Sequence, residues 1–252
     1  LKYINTLSDN AQSQLDLKSP LASPTFTGVV TIPNVANLET AVVANTAKVG
    51  ITSGQASTIT ANTTSITWSP DLTLFCAVSD DGTGNRVMTS PDGITWTSRT
   101  PASANQWRSV VWSPDLTLFC AVSENGTGNR VMTSPDGITW TSRTNPEDNE
   151  WESVTWSPDL TLFCAVSKNG TYQVMTSPDG ITWTSRTTPT YNDWQSVAWA
   201  PELGIFCAVS SDGTGDRVMT SPDGITWTLR ISAADNYWHS VIWSPELYIF
   251  VA

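Results

Sequence analysis

The groups in this 252-residue chain that could do chemistry are carboxylates, arginines, four cysteines and a single histidine. Most of them recur at fixed intervals. Asp71, Asp115, Asp159, Glu202 and Glu246 each follow a proline at the same point of a repeated phrase. A glycosidase needs two carboxyls in unlike surroundings, one with a raised pKa. Identical residues at one repeat position do not supply such a pair and fit turns better. Asp92, Asp136, Asp179 and Asp223 form a second set, inside Ser-Pro-Asp-Gly-Ile-Thr-Trp. Arg86, Arg130 and Arg217 form a third, broken at Gln173, and Arg99, Arg143, Arg186 and Arg230 a fourth. His239 stands where other copies carry Arg108, Glu152 and Gln195, with no nucleophile or acid placed beside it, so a solvated histidine is expected and not a catalyst. Gly-Thr-Gly-Asn-Arg lacks the lysine and following helix of a phosphate loop. Cys76, Cys120, Cys164 and Cys207 lie one per copy in apolar runs such as Leu-Phe-Cys-Ala-Val. They read as free, buried thiols: equivalent atoms of successive units are too far apart for a bridge, and the close pairing of a zinc site is missing. No catalytic residue, metal ligand or cofactor is assigned.

What must position these residues is a repeat. Trp68, Trp112, Trp156, Trp199 and Trp243 mark one position, at steps of 44, 44, 43 and 44. Met88, Met132, Met175 and Met219 keep the same register. A period this long makes each copy a supersecondary unit that buries its apolar face only against its neighbours. In the second copy the pattern predicts four strands: Ser109–Trp112, the continuous apolar run Leu116–Ser123, Arg130–Ser134 after a Gly-rich turn, and Ile138–Thr144 after Ser134-Pro135-Asp136-Gly137. Four short antiparallel strands in about 44 residues is the size of a β-propeller blade. A β-solenoid has shorter rungs and a β-sandwich does not repeat so closely. The expectation is a mainly β chain, with propeller repeats over 65–252. Four units are complete; a fifth begins, because Leu247–Ala252 aligns with Leu116–Ala121, which suggests a longer natural protein.

The copies differ mainly in one loop, residues 100–106, 145–150, 188–193 and 232–237. A constant frame with varied loops suits a recognition face. Each loop runs into Trp107, Trp151, Trp194 or Trp238. At a rim these rings would stack on sugars; the alternative is that they pack between units.

Residues 1–64 hold no Trp and no Cys, a sharp boundary with the repeats over 65–252. Ile4, Leu7, Ala11 and Leu15 make a narrow helical stripe over 1–18, suited to a bundle of its own copies. Pro20 and Pro24 break the helix, and Thr25–Ile32 within an extended 19–36 segment is strand-like. Helix is expected again over 37–64. The segment Pro20-Leu21-Ala22-Ser23-Pro24-Thr25-Phe26-Thr27-Gly28 closely resembles one that recurs in bacteriophage tail fibres and receptor-binding proteins. Val42–Thr46 and Ile59–Thr63 resemble a motif of trimeric coiled coils in which an inward Asn, here Asn45 and Asn62, holds an anion on the axis. These resemblances imply a homotrimeric shaft, other tail or baseplate proteins at its N-terminal end, and a virion or extracellular location.

The Ser-Pro-Asp-Gly-Ile-Thr-Trp turn resembles the Asp-box of sialidase-like propellers, less one residue between Asp and Gly. That likeness implies structural roles for Asp92, Asp136, Asp179 and Asp223, and for Trp96, Trp140, Trp183 and Trp227; it does not imply hydrolysis. The net charge of −11 argues against nucleic-acid or anionic-membrane partners, and no apolar run is long enough to span a bilayer. The expected function is attachment to a host-surface glycan or protein by a trimeric tail fibre. A tail-borne glycan hydrolase and a bacterial surface adhesin are the alternatives.

Overall fold

The computed structural model describes residues 65–252. The expected shaft, with its 1–18, 19–36 and 37–64 segments and Asn45 and Asn62, lies outside the described residues.

Each copy folds as one antiparallel sheet whose strands follow chain order. The first blade is β1 (Ile66–Ser69), β2 (Leu74–Val78), β3 (Val87–Ser90) and β4 (Thr97–Arg99). The second is β5 (Trp107–Ser113), β6 (Leu118–Ser123), β7 (Val131–Ser134) and β8 (Thr141–Arg143). The third is β9 (Trp151–Ser157), β10 (Leu162–Ser167), β11 (Val174–Ser177) and β12 (Thr184–Arg186); the fourth is β13 (Trp194–Ala200), β14 (Ile205–Ser210), β15 (Val218–Ser221) and β16 (Thr228–Arg230). The fifth copy contributes a two-stranded sheet, β17 (Ile242–Ser244) and β18 (Ile249–Val251). β6, β10 and β14 are buried at every position but the first, as continuous apolar runs require.

Several strand limits differ from the sequence reading; the fourth strand is the short Thr141–Arg143 instead of Ile138–Thr144, and two other differences have a clear cause. β6 starts at Leu118, not Leu116, because Pro114–Thr117 makes a tight turn that closes with a Thr117 N–H to Pro114 carbonyl bond and holds Thr117 at φ 49°. The fourth copy has Gly204 at that left-handed position, which needs no β-carbon. The first strand of the blade begins earlier, at Trp107, because it passes through a bulge: Trp107 pairs with Ser123 and Ser109 with Val122, leaving Arg108 unpaired. Glu152 and Gln195 are the bulge residues of β9 and β13.

The first strands of successive blades lie side by side. Fully buried serines bind them: the N–H groups of Val154, Val197 and Val241 donate to Ser109, Ser153 and Ser196 Oγ at 3.1, 3.2 and 3.1 Å. The core lies between sheets, not within them. Cys76, Val78 and Val87 of one blade meet Trp107, Val110, Trp112, Phe119, Met132 and Trp140 of the next, and the same set recurs at the following two joints. All four cysteines are free and buried there, and burial pushes their thiols far up, Cys207 to about 12. The outward side of the first blade has no such neighbour among the described residues: Met88 is 42% exposed, whereas Met132, Met175 and Met219 are fully buried.

Candidate functional site

The two repeated carboxylate sets are occupied structurally. Asp71, Asp115 and Asp159 sit in the turn after the first strand of each blade. Each accepts the indole N–H of the next blade's tryptophan, from Trp112, Trp156 and Trp199, at 3.1, 3.0 and 3.0 Å; Glu202 receives Trp243 in the same way. These bonds span the joints, a role visible in sequence only as a constant spacing of about 41 residues. In the second set, Asp136 Oδ1 accepts the N–H groups of Ile138 and Thr139 and the hydroxyl of Ser134, at 2.8, 2.7 and 2.9 Å. Asp92, Asp179 and Asp223 repeat this. Burial opposes ionisation of Asp136, Asp179 and Asp223, but the donated hydrogen bonds outweigh it and hold their carboxyls below the usual range; Asp92 is lowered chiefly by the Thr95 and Ile94 N–H groups. Trp140, Trp183 and Trp227 donate to the Gly carbonyl of their turn and pack into the joints; Trp96, on the first blade, is only half-buried.

The tryptophans expected at a sugar-binding rim are placed differently. Trp107 is 1% exposed, and Trp151 and Trp194 are fully buried in the joint cores. No ring face there is open to a sugar, so the rim reading is corrected for these three. Trp238 is half-buried against the fourth blade. The cause is an asparagine two residues before each ring, a constant of the loops that the sequence reading passed over. Asn105, Asn149 and Asn192 are buried and donate to the carbonyls of Asn129, Tyr172 and Asp216 at 2.9, 2.7 and 3.0 Å. These bonds tie the loop between blades to the loop between second and third strands, and so drive the adjacent tryptophan inward.

The copies differ where these two loops meet the bulge of the first strand. At the bulge stand Arg108, Glu152 and Gln195, with His239 exposed at the equivalent position. At the end of the second strand stand Asp80, Glu124, Lys168 and Ser211. Arg108 contacts Asp80 at 2.6 Å and both Glu124 and Glu152 at 3.2 Å, while Lys168 lies 2.8 Å from Glu152 and 3.9 Å from Glu124. The charged network therefore runs across the first three blades; in the fourth, Gln195 donates to Ser211 Oγ of its own blade at 3.0 Å. Burial disfavours the Arg108 charge, yet Glu152 and Glu124 hold it on, and the net shift is upward. Beside the network, the Asp193 N–H donates to Asp212 Oδ1 at 2.5 Å, and burial together with the Asp212 charge raises the Asp193 carboxyl above its ordinary value. No cluster able to hold a metal ion occurs among the described residues.

The third copy, one residue shorter than the rest, braces its loops differently. Arg130 and Arg217 lace loop carbonyls, Arg130 reaching Gly126 and Glu124 at 2.8 and 2.7 Å. In the third blade Gln173 does the same work by donating to the Asn192 carbonyl at 2.6 Å and accepting its N–H at 3.2 Å.

No family model and no curated protein matches the chain. Solved structures do share its fold. Virginiamycin B lyase from Staphylococcus aureus superposes over 73% of this chain and 62% of its own, with a TM-score of 0.60 and 12% identity. The GH74 enzyme of Niastella koreensis superposes over 72% of this chain and 33% of its own, with a TM-score of 0.56 and 19% identity. A nidogen–laminin complex superposes over 71% of this chain and 68% of its own, with a TM-score of 0.56 and 10% identity. This chain thus spans less than two thirds of the first two. At such identities the likeness is one of fold: repeated four-stranded antiparallel sheets arranged as in a β-propeller.

Proposed function

We propose that this chain is a binding component of a bacteriophage tail fibre, homotrimeric through residues 1–64 and joined there to other tail proteins. Its repeats attach the virion to a glycan or protein of the host surface. The observation that supports binding is the distribution of differences between copies. Joints, turns and serine clasps are the same from blade to blade, while charge and loop sequence vary at one end. The Asp-box-like turns serve as structure in this reading. Incubating the chain with host surface polysaccharide tests it: retention without shortening supports attachment, and no retention on polysaccharide or cells refutes it. Light scattering that finds a monomer refutes the trimer.

One observation favours hydrolysis as a second reading. Asp193 is the carboxyl among the described residues held above its ordinary value, and it lies against Asp212, as a general acid beside a second carboxylate would. Shortened polysaccharide chains, with the shortening abolished by Asp193→Asn, would establish it.

A further inference from the structure

Three tyrosines lie at the variable end of the third and fourth blades, at points where the corresponding residues of the first two blades are not aromatic. Tyr172 is in the loop between β10 and β11, Tyr191 in the loop between β12 and β13, and Tyr237 in the loop between β16 and β17. They are 38%, 62% and 76% exposed. Their loops are joined through side chains of the neighbouring residues. Gln173, next to Tyr172, exchanges two hydrogen bonds with Asn192, next to Tyr191. Asn192 also donates to the Asp216 carbonyl, and Arg217, next to Asp216, donates to the Asn236 carbonyl beside Tyr237 at 2.8 Å. The Arg217 guanidinium carbon then lies 5.9 Å from the centre of the Tyr237 ring. The rings are therefore presented from braced loops, at little cost in order on binding.

The surroundings restrict the ligand. Asp193, Asp212 and Asp235 supply acceptors for hydroxyl groups. The cations nearby are engaged: Arg217 by the Gly213, Ser211 and Asn236 carbonyls with Asp235 at 3.6 Å, and Lys168 by Glu152. An anionic sugar would meet carboxylates and no free positive charge among the described residues of this patch. We infer that Tyr172, Tyr191 and Tyr237 form a stacking platform for a neutral pyranose oligosaccharide, its hydroxyls donating to the flanking carboxylates. This rests on the attachment reading and names its ligand class.

The test uses the full chain. Neutral hexose and N-acetylhexosamine oligosaccharides, with sialylated and phosphorylated ones beside them, are screened as immobilised probes, and the best is titrated calorimetrically. Tyr191→Ala and Tyr237→Ala are each expected to weaken binding roughly two- to tenfold, from the worth of an aromatic contact. Tyr191→Phe should keep most of the affinity. Tyr248→Ala, an equally exposed tyrosine in the turn between β17 and β18, should change nothing. Unchanged circular dichroism and melting establish that the variants fold. If the Tyr172→Ala, Tyr191→Ala, Tyr237→Ala triple variant still binds host cells and oligosaccharide as the wild type does, the platform is wrong and attachment stands. If wild type binds cells but prefers acidic sugars, or binds no neutral sugar, the platform is likewise refuted. If wild type binds no cells, the attachment reading itself falls.

Discussion

Trp151 and Trp194 occupy the same repeat position and are equally buried, yet they differ in one hydrogen bond. Trp151 Nε1 donates to the Glu147 carbonyl at 3.2 Å, whereas Trp194 Nε1 is buried with no acceptor. The loop before Trp194 follows a different path, with the Trp194 backbone N–H bonded to the Asn192 carbonyl. Replacing each tryptophan by phenylalanine removes similar volume from similar joints, so the packing losses nearly cancel in a comparison. What remains is the polar difference. Trp151→Phe forfeits a made hydrogen bond, worth about 0.5–1.5 kcal/mol net, while Trp194→Phe removes an unsatisfied donor whose burial costs about 1–3 kcal/mol. Trp151→Phe should therefore be the costlier by roughly 1.5–4.5 kcal/mol. At about 2–4 °C per kcal/mol for a domain of this size, its melting point should lie several degrees below that of Trp194→Phe. Urea denaturation followed by far-ultraviolet circular dichroism measures both; because repeat arrays can unfold in parts, hydrogen exchange at β9 and β13 should accompany it. Equal costs, or a costlier Trp194→Phe, would show that the indole N–H of Trp194 is satisfied and that the reasoning is wrong. A Trp151→Ala variant that kept full stability but lost glycan binding would overturn the placement of these rings as core.

Gly180 has φ 71°, and a β-carbon there would come within 3.1 Å of Leu118 Cδ2 and 3.3 Å of Thr133 Cγ2 across the joint. Gly180→Ala should destabilise by more than about 1 kcal/mol, seen as a lower urea midpoint. Asp136, Asp179 and Asp223 have folded-state pKa values below their unfolded ones. Their contribution is thus complete above the ordinary aspartate value of 3.8 and is lost as pH falls below it toward the lowered values. Asp179→Asn should flatten the acid limb of a melting-point-against-pH curve. The four cysteines should resist a thiol reagent at pH 8 in the native chain and react fully once it is unfolded, since burial holds each thiol protonated; Cys207, next to the two-stranded unit, should react first during partial denaturation.

The unit and its four strands were legible because the repeat multiplies a weak signal: one apolar run beside one Asp-Gly turn is ambiguous, but four in register are not. The buried thiols followed from the same register. The fate of Trp107, Trp151 and Trp194 was not legible, because a tryptophan after a variable loop fits a rim and a joint equally well. What decides it is Asn105, Asn149 and Asn192, whose bonds reach residues 24, 23 and 24 positions away, beyond any local pattern. The bulge was hidden as well. Arg108, Glu152 and Gln195 looked merely variable, and only the pairing shows that each is released from its ladder, which lets Arg108 and Glu152 meet across the joint.

The joints carry one more consequence. Since the same two apolar surfaces meet each time, the joint cores are not written for a particular neighbour, although the Arg108–Glu152 pair is. Excising residues 113–156 would fuse Trp112 to Ser157 in phase and leave both the Asp71–Trp112 and Asp159–Trp199 bonds available. A gene with such copies can gain or lose one by recombination between them while the joint cores are kept and only the Arg108–Glu152–Lys168 pairing is lost. The number of blades would then drift faster than their sequence, and loop sets such as the one bearing the tyrosines would move as cassettes.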